Sequence, residues 1–326
     1  MAVILVTGGA GYVGSVCSRQ LLECGHEVVI IDDLSTGHAE AVPTDATFHR
    51  LNYGDRNGVA HVLKQHSIDA VFHFAAKALI PESMSNPGTF FDSNVGLGIS
   101  LLEVLRSFGI KRFVFSSSAA VYGNPRLVPI DESHPKDPVN SYGETKLMFE
   151  RVLRWYAAAY DWTVAAFRYF NASGATVDAG ESHRPETHII PLLLEAVTGE
   201  RPHFDIYGDD YHTPDGTCIR DYVHVSDIAS AHLLALEMPE HAGMQAYNIG
   251  TGQGYSVREV ICAVEEVTGS KIPVRVASRR HGDPAVLCAS PKKLIAELNW
   301  KPRSSDLKNI VHSAWEWKRS RSLLAA

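Results

Sequence analysis

The sequence lacks most features that mark secreted, membrane-bound or nucleic-acid-binding proteins. Its five cysteines never form a CxxC pair, so we expect no disulfide framework and no thiolate zinc site, and a reducing cytoplasm fits best. No apolar run reaches about 18 residues, and the N-terminal MAVILVTGG has no basic stretch, so neither a membrane span nor a signal peptide is expected. The net charge of -7, without a run of lysines and arginines, argues against nucleic acid as a partner.

A metal site is not indicated by the spacing of its usual ligands. The chain has 16 histidines, but none stands in HExxH or a comparable pattern, so we expect no metal ion. What remains is an ordinary globular composition, with 45% hydrophobic and 21% charged residues. A length of 326 residues suggests two domains, or one large domain with a sizeable core.

The first half of the chain alternates short apolar runs, rich in β-branched residues, with helical patterns. This alternation predicts right-handed βαβ crossovers, and therefore an α/β fold with a doubly wound parallel sheet of the Rossmann type. In such a sheet the ligand binds at the carboxyl ends of the strands. We predict strands at residues 3–8, 27–32, 70–75, 112–118 and 163–170, and helices at residues 11–25, 56–66, 88–108 and 141–160.

A glycine-rich turn joins the first predicted strand to the first helix. In TGGAGYVGS, Gly8, Gly11 and Gly14 lack side chains, which lets the backbone approach a pyrophosphate at a helix N-terminus. Asp32 follows Gly14 by 18 residues, at the strand end where a carboxylate accepts ribose hydroxyls. Asp32 and Asp33 would repel a 2′-phosphate, and the next residues offer no arginine, so NAD is the predicted cofactor. The alternative is a glycine turn beside a solvated aspartate.

The composition changes after Asn171. The segment that follows is rich in Gly, Pro, His and Asp, and the alternation resumes only in part near DYVHVSDIASAHLLAL and AYNIG. We therefore predict an NAD-binding domain of residues 1–172, to which residues 222–250 return, and a smaller α/β substrate-binding domain of residues 173–221 and 251–326.

Tyr142 and Lys146 stand four residues apart at the start of a predicted helix, in the stretch NSYGETK. Residues with this spacing share one helix face, so the ammonium group reaches the volume around the phenol. A free phenol is ionised to about one part in a thousand at pH 7, so a tyrosine that acts as a base needs a nearby cation. The pair is a candidate acid–base site, with chance placement as the alternative.

Several longer motifs together carry a family resemblance. TGGAGYVG, SSSAAVYG and SYGETK resemble the extended short-chain dehydrogenase/reductase family, and they closely resemble its UDP-glucose (UDP-galactose) 4-epimerase branch. The likeness covers nearly the whole chain and continues through RYFNASGA, IYGDDYHTPDGTCIRDYVHVSD, YNIGTGQGYSV and RRHGDPA. The resemblance implies NAD as cofactor, a small UDP-sugar as substrate, and a homodimer in which the helices at 88–108 and 141–160 meet their copies.

The resemblance also implies an activity, the 4-epimerisation of UDP-hexoses in galactose metabolism through a transient 4-keto sugar. Tyr142 matches the family's general base, and Lys146 with the oxidised nicotinamide ring would lower its pKa. Ser118 matches the residue whose hydroxyl bonds the reacting sugar oxygen.

Binding residues are implied in the same way. The NAD contacts are Gly8, Gly11, Tyr12, Val13, Gly14, Asp32, Asp33, Asn52, Tyr53, Phe74, Ala75, Ala76, Ser93, Lys146 and Tyr169. The UDP-sugar contacts are Ser118, Tyr142, Asn171, His188, Ile189, Tyr207, Arg220, Arg280 and Asp283. His188 stands where the family usually has asparagine, and Asn52 where an acidic residue is more usual. Lys77 is displaced by one place from a lysine that relatives use near the phosphates. Leu287 falls at the position thought to gate sugar size, which leaves N-acetylated sugars open.

Three other functions compete with this prediction. A nucleotide-sugar 4,6-dehydratase needs an acid and a base that relatives carry directly after the serine strand, where this chain has Ala119 and Ala120. A 4-epimerase of UDP-GlcNAc or of a UDP-pentose stays open. A non-catalytic NAD-binding sensor would have no need for Tyr142, Lys146 and Ser118 together.

Overall fold

The fold combines one large parallel sheet with a smaller mixed sheet and a two-stranded sheet. The computed structural model describes residues 1–280 and 282–324. The strands are β1 (Val3–Thr7), β2 (Glu27–Asp32), β3 (Thr47–Arg50), β4 (Ala70–His73), β5 (Arg112–Ser118), β6 (Thr163–Tyr169), β7 (Asn171–Ser173), β8 (Phe204–Tyr207), β9 (Ile219–His224), β10 (Gly243–Ile249), β11 (Gly254–Ser256), β12 (Val274–Ala277) and β13 (Val286–Leu287). The α-helices are α1 (Tyr12–Glu23), α2 (Arg56–Gln65), α3 (Ile80–Ser85), α4 (Pro87–Phe91), α5 (Gly98–Ser107), α6 (Ser141–Tyr160), α7 (Ile189–Thr198), α8 (Val225–Leu234), α9 (Val257–Thr268), α10 (Lys292–Leu298) and α11 (Leu307–Leu324).

The large sheet has seven strands in the order β10-β6-β5-β4-β1-β2-β3, and all its neighbours run parallel. From β1 the chain builds outward through β2 and β3, then crosses to β4 and builds outward in the opposite direction. The loops after β1 and β4 therefore diverge and open a crevice at the carboxyl ends of the strands. This arrangement confirms the predicted Rossmann-type fold.

Helices cover both faces of this sheet. On one face α1 and α8 pack together, and their Leu21 and Ile228 are fully buried. On the other face α2, α5 and α6 bury residues such as Leu101 and Phe149. Each such side chain contributes about 1.5–3 kcal/mol relative to an exposed position. The sheet strands are therefore fixed from both sides, which gives the loops at their carboxyl ends a rigid base.

Helix α6 begins where a cap and a glycine place it. The Asn140 side chain accepts a hydrogen bond from Gly143 N at 2.8 Å, and the helix ends at Asp161 with a left-handed φ of 56°. A Cβ on Gly143 would lie 2.5 Å from the carbonyl oxygen of Ala120, so only glycine lets α6 approach the segment after β5 this closely. This contact brings Tyr142 next to the end of β5.

Most predicted elements are confirmed. The helix predicted at residues 88–108 is confirmed over residues 87–107, and a π-helical turn at Asp92–Leu97 lies between its α4 and α5 parts. Strand β3 was missed because Thr47–Arg50 is a short edge strand of half-buried and exposed residues, so it has no apolar run to mark it. The long helix predicted at 141–160 is α6 to the residue.

The remaining elements form a separate layer around β9. Strands β7 and β13 run parallel to β9, β11 pairs with it antiparallel, and β8 pairs with β12. Helices α7, α9 and α11 share a core with β8. We retain the division into two domains as a proposal, supported by the return of β10 to the large sheet, although β9 runs across the boundary placed at residue 221. Within residues 1–280 and 282–324, no helix has the length and apolarity needed to cross a membrane.

Candidate active site

One cavity of about 1370 Å³ lies between the carboxyl ends of the large sheet and the layer around β9. The residues singled out in the sequence come from distant parts of the chain, yet each of them lines this cavity. On the sheet side these are Gly8, Gly11, Tyr12, Val13, Gly14, Asp32, Asp33, Asn52, Tyr53, Phe74, Ala75, Ala76, Lys77, Ser93, Ser118, Tyr142, Lys146 and Tyr169. On the opposite side they are Asn171, His188, Ile189, Tyr207, Arg220, Arg280, Asp283 and Leu287.

The glycine turn after β1 leaves a cradle that a diphosphate fits. A Cβ on Gly14 would lie 2.2 Å from Gly8 O, and one on Gly8, whose φ is +77°, would lie 2.4 Å from Ala75 N. These two glycines are therefore required by the protein's own packing. A Cβ on Gly11 would meet only Gly8 O, at 3.3 Å, so Gly11 leaves space at the N-terminus of α1. That space and the helix dipole suit a pyrophosphate.

Two aspartates close the next part of the cavity. Asp32 accepts hydrogen bonds from Ala10 N at 3.0 Å and Leu34 N at 2.9 Å. Burial raises the pKa of Asp32, and these two bonds partly offset the rise. Asp33 accepts a hydrogen bond from Asn52 Nδ2 at 2.8 Å, so the two predicted cofactor residues are linked. The carboxylates are in place for ribose hydroxyls, and the chain as a whole fits NAD here.

The π-helical turn serves this side of the cavity. Tyr53 donates its hydroxyl proton to Ser93 O at 2.6 Å. The next residue, Asn94, accepts from Lys77 N at 2.8 Å and donates to Thr145 Oγ1 at 3.0 Å. Asn94 thereby ties the loop after β4 to α6, although its sequence context gave no sign of that role.

Tyr142, Lys146 and Ser118 meet at the floor of the cavity. The Ser118 side chain lies close enough to Tyr142 to lower the pKa of its phenol. Lys146 donates from Nζ to Ser116 O at 2.7 Å, and its Nζ lies 5.7 Å from the centre of the Tyr142 ring. The Tyr169 hydroxyl, which also lies near Tyr142, is 2.6 Å from His232 Nε2. Tyr142 and Lys146, four residues apart in the sequence, therefore lie close together in the structure.

Burial dominates the electrostatics of this group. It raises the pKa of Tyr142, and the Ser118 side chain lowers it in part. Burial also lowers the pKa of Lys146 to about 7, with partial compensation from the Glu150 carboxylate. Lys146 can therefore change its charge near neutral pH. A pair of groups with perturbed pKa values in a cleft is typical of acid–base chemistry.

A buried polar network supports α6 behind Lys146. Arg168 pairs with Glu150 at 2.6 Å, with both side chains at most 3% exposed. Ser117 donates to Glu150 at 2.6 Å, and Arg168 also donates to the Tyr122 hydroxyl at 2.8 Å. Each charged group has several partners, as a buried ion pair needs. The network fixes the end of β5 to α6.

The opposite side of the cavity is lined by side chains on loops and strand ends. Arg220 forms an ion pair with Asp283. The Arg280 guanidinium lies 4.0 Å from the centre of the Tyr207 ring. Asn171 donates from Nδ2 to Asp221 O at 2.9 Å. The arginines offer bidentate donors for a diphosphate, and Tyr207 offers a flat apolar surface for a base.

Among the cavity residues that the sequence analysis did not single out are an acidic residue and a histidine. Glu181 and His183 also line the cavity and hydrogen-bond to each other, and His188 lies close to both. A repeated Glu-x-His tripeptide in ESHRPETH was the available signal. Its spacing differs from helical ligand motifs such as HExxH, because these residues precede α7 in a loop.

The parallel sheet, the glycine turn, the paired aspartates and the buried tyrosine–lysine pair define an NAD-binding enzyme of the Rossmann class. Comparison with known proteins identifies its family. The chain belongs to the NAD dependent epimerase/dehydratase family, whose model matches residues 4–250.

Its relatives are similar over nearly their whole length. A UDP-glucose 4-epimerase of Corynebacterium glutamicum is 49% identical over 313 residues, which cover 96% of this chain and 94% of the relative. The structure of UDP-glucose-4-epimerase from Stenotrophomonas maltophila with NAD and formylated UDP-arabinopyranose is 40% identical, covers 100% of both chains and has a TM-score of 0.96. That of UDP-glucose 4-epimerase from Brucella ovis with NAD is 43% identical, covers 97% of this chain and 98% of that one, and has a TM-score of 0.93.

Proposed function

We propose that this protein is an NAD-dependent 4-epimerase that interconverts UDP-galactose and UDP-glucose. The observation that carries the proposal is the meeting of Tyr142, Lys146 and Ser118 at the floor of a cavity whose opposite wall presents Arg220 and Arg280. The first group suits removal of a proton from a sugar hydroxyl, and the second suits a nucleotide diphosphate. The similarity to UDP-glucose 4-epimerases over the full chain supports the same function.

In the first half-reaction Tyr142 would take the proton of the sugar 4-hydroxyl. Ser118 would donate a hydrogen bond to the same oxygen and keep it within reach of the phenolate. When bound, NAD supplies a hydride acceptor for C4 and later the donor that returns the hydride. The glycine turn, Asp32 and Asp33 would hold it by the diphosphate and a ribose, while Asn52, Tyr53 and Ser93 would line its adenine end.

Lys146 would act through its charge. Because burial raises the pKa of Tyr142, the phenolate needs a nearby cation to form near neutral pH. Lys146 shares the helix face of Tyr142 and reaches this volume, so its protonated form would favour the phenolate. Since the pKa of Lys146 is itself lowered to about 7, this assistance would diminish as the pH rises above neutrality.

The other wall would hold the nucleotide and leave the sugar mobile. Arg220 and Arg280 would bind the diphosphate, Asp283 the uridine ribose, and Tyr207, with Asn171, His188 and Ile189 nearby, would complete the site for the nucleotide. A firm hold on this end would let the 4-keto sugar turn and present the opposite face of C4 to the hydride donor. Addition of the hydride to that face would invert C4, and Tyr142 would return the proton to the 4-oxygen, so no net oxidation occurs.

The residues after β5 argue against the dehydratase alternative. Dehydration would need an acid and a base near C5 and C6, but Ala119 and Ala120 line the cavity where relatives with that activity carry them. Methyl groups cannot transfer protons. Leu287 lies half-buried on the cavity wall, where the size of its side chain would affect which sugars fit.

Incubation of the purified protein with UDP-galactose, followed by separation of the products, tests the proposal. We expect UDP-glucose to form until both sugars are present at equilibrium, with no net production of NADH. Turnover of UDP-GlcNAc or a UDP-pentose, with UDP-galactose unchanged, would instead assign one of the related epimerase activities. Binding of NAD without turnover of any of these sugars would favour the non-catalytic sensor.

We also propose that the enzyme works as a homodimer in the cytoplasm. The five cysteines are all free thiols, which suits a reducing compartment. Helix α6 carries Trp155 with 76% of its surface exposed, an apolar side chain that a second copy would cover. Light scattering coupled to size-exclusion chromatography would give the mass of a dimer, and Trp155→Glu would shift it toward a monomer. A monomeric mass for the unmodified protein would contradict the proposal.

A further inference from the structure

The loop before α7 repeats one local structure twice. In Glu181-Ser182-His183 the carboxylate Oε1 accepts hydrogen bonds from the amides of the next two residues, at 2.8 and 2.9 Å. In Glu186-Thr187-His188 the same bonds measure 2.6 and 2.7 Å. Each turn brings the imidazole of its histidine back to its own carboxylate. Two Glu-x-His units therefore present the same donor atoms.

The two turns converge on one point. The ligand atoms of Glu181, His183 and His188 all lie within 4.8 Å of one another. His188 Nδ1 is 3.6 Å from the second oxygen of Glu181, so the two units are in direct contact. The imidazole rings of His183 and His188 have their centres 5.7 Å apart. Such separations suit side chains that share one central ion.

The charge of this group calls for a cation. The side chains of Glu181 and Glu186 are only 8% and 10% exposed, so two carboxylates are largely removed from water close to each other. Each desolvated carboxylate is costly unless a positive charge lies near it. The two imidazoles hydrogen-bond to these carboxylates, and a divalent cation would offset the charge of both carboxylates at once.

We propose that Glu181, His183 and His188 bind a divalent transition-metal ion, for which zinc is the best match. Two imidazole nitrogens and one carboxylate oxygen form a ligand set that zinc accepts, with a fourth position left for water. Calcium and magnesium prefer oxygen ligands throughout. Glu186 bonds to the ring of His188 at 2.8 Å and would orient it, as the outer carboxylates of metal sites do.

The surroundings indicate a structural role for the ion. The loop that carries the site crosses the glycine turn, because Tyr12 donates to Gly174 O at 2.5 Å and His38 donates to Ser182 O at 3.0 Å. The same loop leads into α7 through His188. An ion at this position would hold the dinucleotide side and the nucleotide-sugar side of the cavity in register, and the proposal departs from the expectation of no metal drawn from the sequence.

Metal content and zinc titration of the purified full chain test the proposal directly. We expect about one zinc per chain after desalting, and binding of Co²⁺ to the zinc-free protein with the visible absorption of a nitrogen- and oxygen-ligated ion. His183→Ala and His188→Ala should each lose this metal. His61→Ala, which removes an exposed histidine from α2, should retain it. Absence of stoichiometric zinc and cobalt binding by the unmodified protein, or equal binding by all variants, would overturn the proposal.

Thermal unfolding provides a second measurement that does not depend on how well the variants fold. Zinc should raise the Tm of the zinc-free unmodified protein by roughly 5 °C at a concentration 100 times its Kd. A Tm that is unchanged by zinc and by chelators would show that the loop is held by hydrogen bonds alone. Neither measurement uses a UDP-sugar, so the outcome is independent of the proposed epimerase activity.

Discussion

The two sides of the cavity are built in different ways. On the dinucleotide side closely packed backbone forms part of the wall. The Phe74 and Ala75 amides both donate to Thr7 O, at 2.9 and 3.0 Å, and Gly8 and Gly14 leave no room for a side chain. On the nucleotide-sugar side the wall consists of side chains, among them Arg220, Arg280 and Tyr207. A backbone wall keeps its shape, whereas arginines must exchange their present partners to bind a diphosphate. This contrast suits a cofactor that stays bound and a substrate that is exchanged in each cycle.

The sharpest test addresses the group that joins the two sides. Tyr142→Phe removes the proposed base but keeps the ring, so turnover of UDP-galactose should fall by about 10² to 10⁴ while NAD remains bound. Steady-state kinetics and the NAD content of the purified protein measure the two effects. Tyr160→Phe, at the exposed end of the same helix, should leave both unchanged. A Tyr142→Phe enzyme near full rate would remove Tyr142 from its proposed role.

A glycine substitution breaks the backbone wall. Gly14→Ala would place a methyl group 2.2 Å from Gly8 O, and relief of that overlap would move α1 away from β1. We expect NAD affinity to drop by about 10-fold to 100-fold, in line with the 1–3 kcal/mol typical of overpacking. Gly88→Ala is the matched control because a Cβ there meets nothing within 4 Å. Calorimetry measures the NAD affinity of both variants. Equal affinities would contradict the proposal that the closely packed backbone around Gly14 is needed for NAD binding.

The pH dependence of stability tests the electrostatics of Lys146. The pKa of Lys146 is about 7 in the folded protein, which is below its pKa in the unfolded chain. At a pH between these two pKa values, the unfolded chain therefore binds one more proton than the folded protein. The wild-type protein therefore gains stability as the pH rises from 7 toward 10.5, and Lys146→Met abolishes this gain. We compare the unfolding free energy of Lys146→Met with that of the wild type at each pH. The difference in favour of the variant should be about 2–3 kcal/mol larger at pH 7 than at pH 9.

Urea denaturation at the two pH values measures that difference. Lys301→Met, which replaces an exposed lysine, provides the comparison and should show no such change with pH. If the two substitutions behaved alike, Lys146 would have an ordinary titration in the folded protein.

The smallest expected effect concerns the side-chain wall. Arg220→Gln should weaken UDP binding by about tenfold, equivalent to about 1.4 kcal/mol, without changing the NAD content. Arg275→Gln, which breaks an ion pair with Asp205 at 61% exposure of the arginine, should have no effect on either ligand. Loss of NAD from the Arg220 variant would show that the two sides of the cavity do not bind their ligands independently.

Local motifs explain how much of the molecule was predictable. Gly8, Gly14 and Asp32 belong to one strand–turn–helix–strand unit, so their spacing in the chain fixes their positions in space. Tyr142 and Lys146 share a helix face for the same reason. The alternation of strands and helices predicted the parallel sheet, and the structure confirms it.

Features that depend on tertiary contacts were harder to predict. The π-helical turn at Asp92–Leu97 has no characteristic amino-acid composition that would reveal it in the sequence. Asn94 gains its hydrogen-bond partners only when the loop after β4 contacts α6. The meeting of Glu181 with His183 and His188 depends on a loop conformation rather than a regular period. For Tyr142, the sequence identified a nearby cation but not the extent of burial. Burial raises the pKa of Tyr142, and Ser118 offsets only part of that rise.

The position of β10 in the large sheet has a consequence for biosynthesis. This strand, residues 243–249, pairs with β6 although some 70 residues, which include β7, α7, β8 and β9, separate them in the chain. While the ribosome is still producing that stretch, the nascent polypeptide presents β6 as an unprotected edge, open to pairing with other chains. Slow translation through residues 170–242 would prolong this vulnerable interval, so the yield of native protein during overexpression should depend on chaperones that shield it.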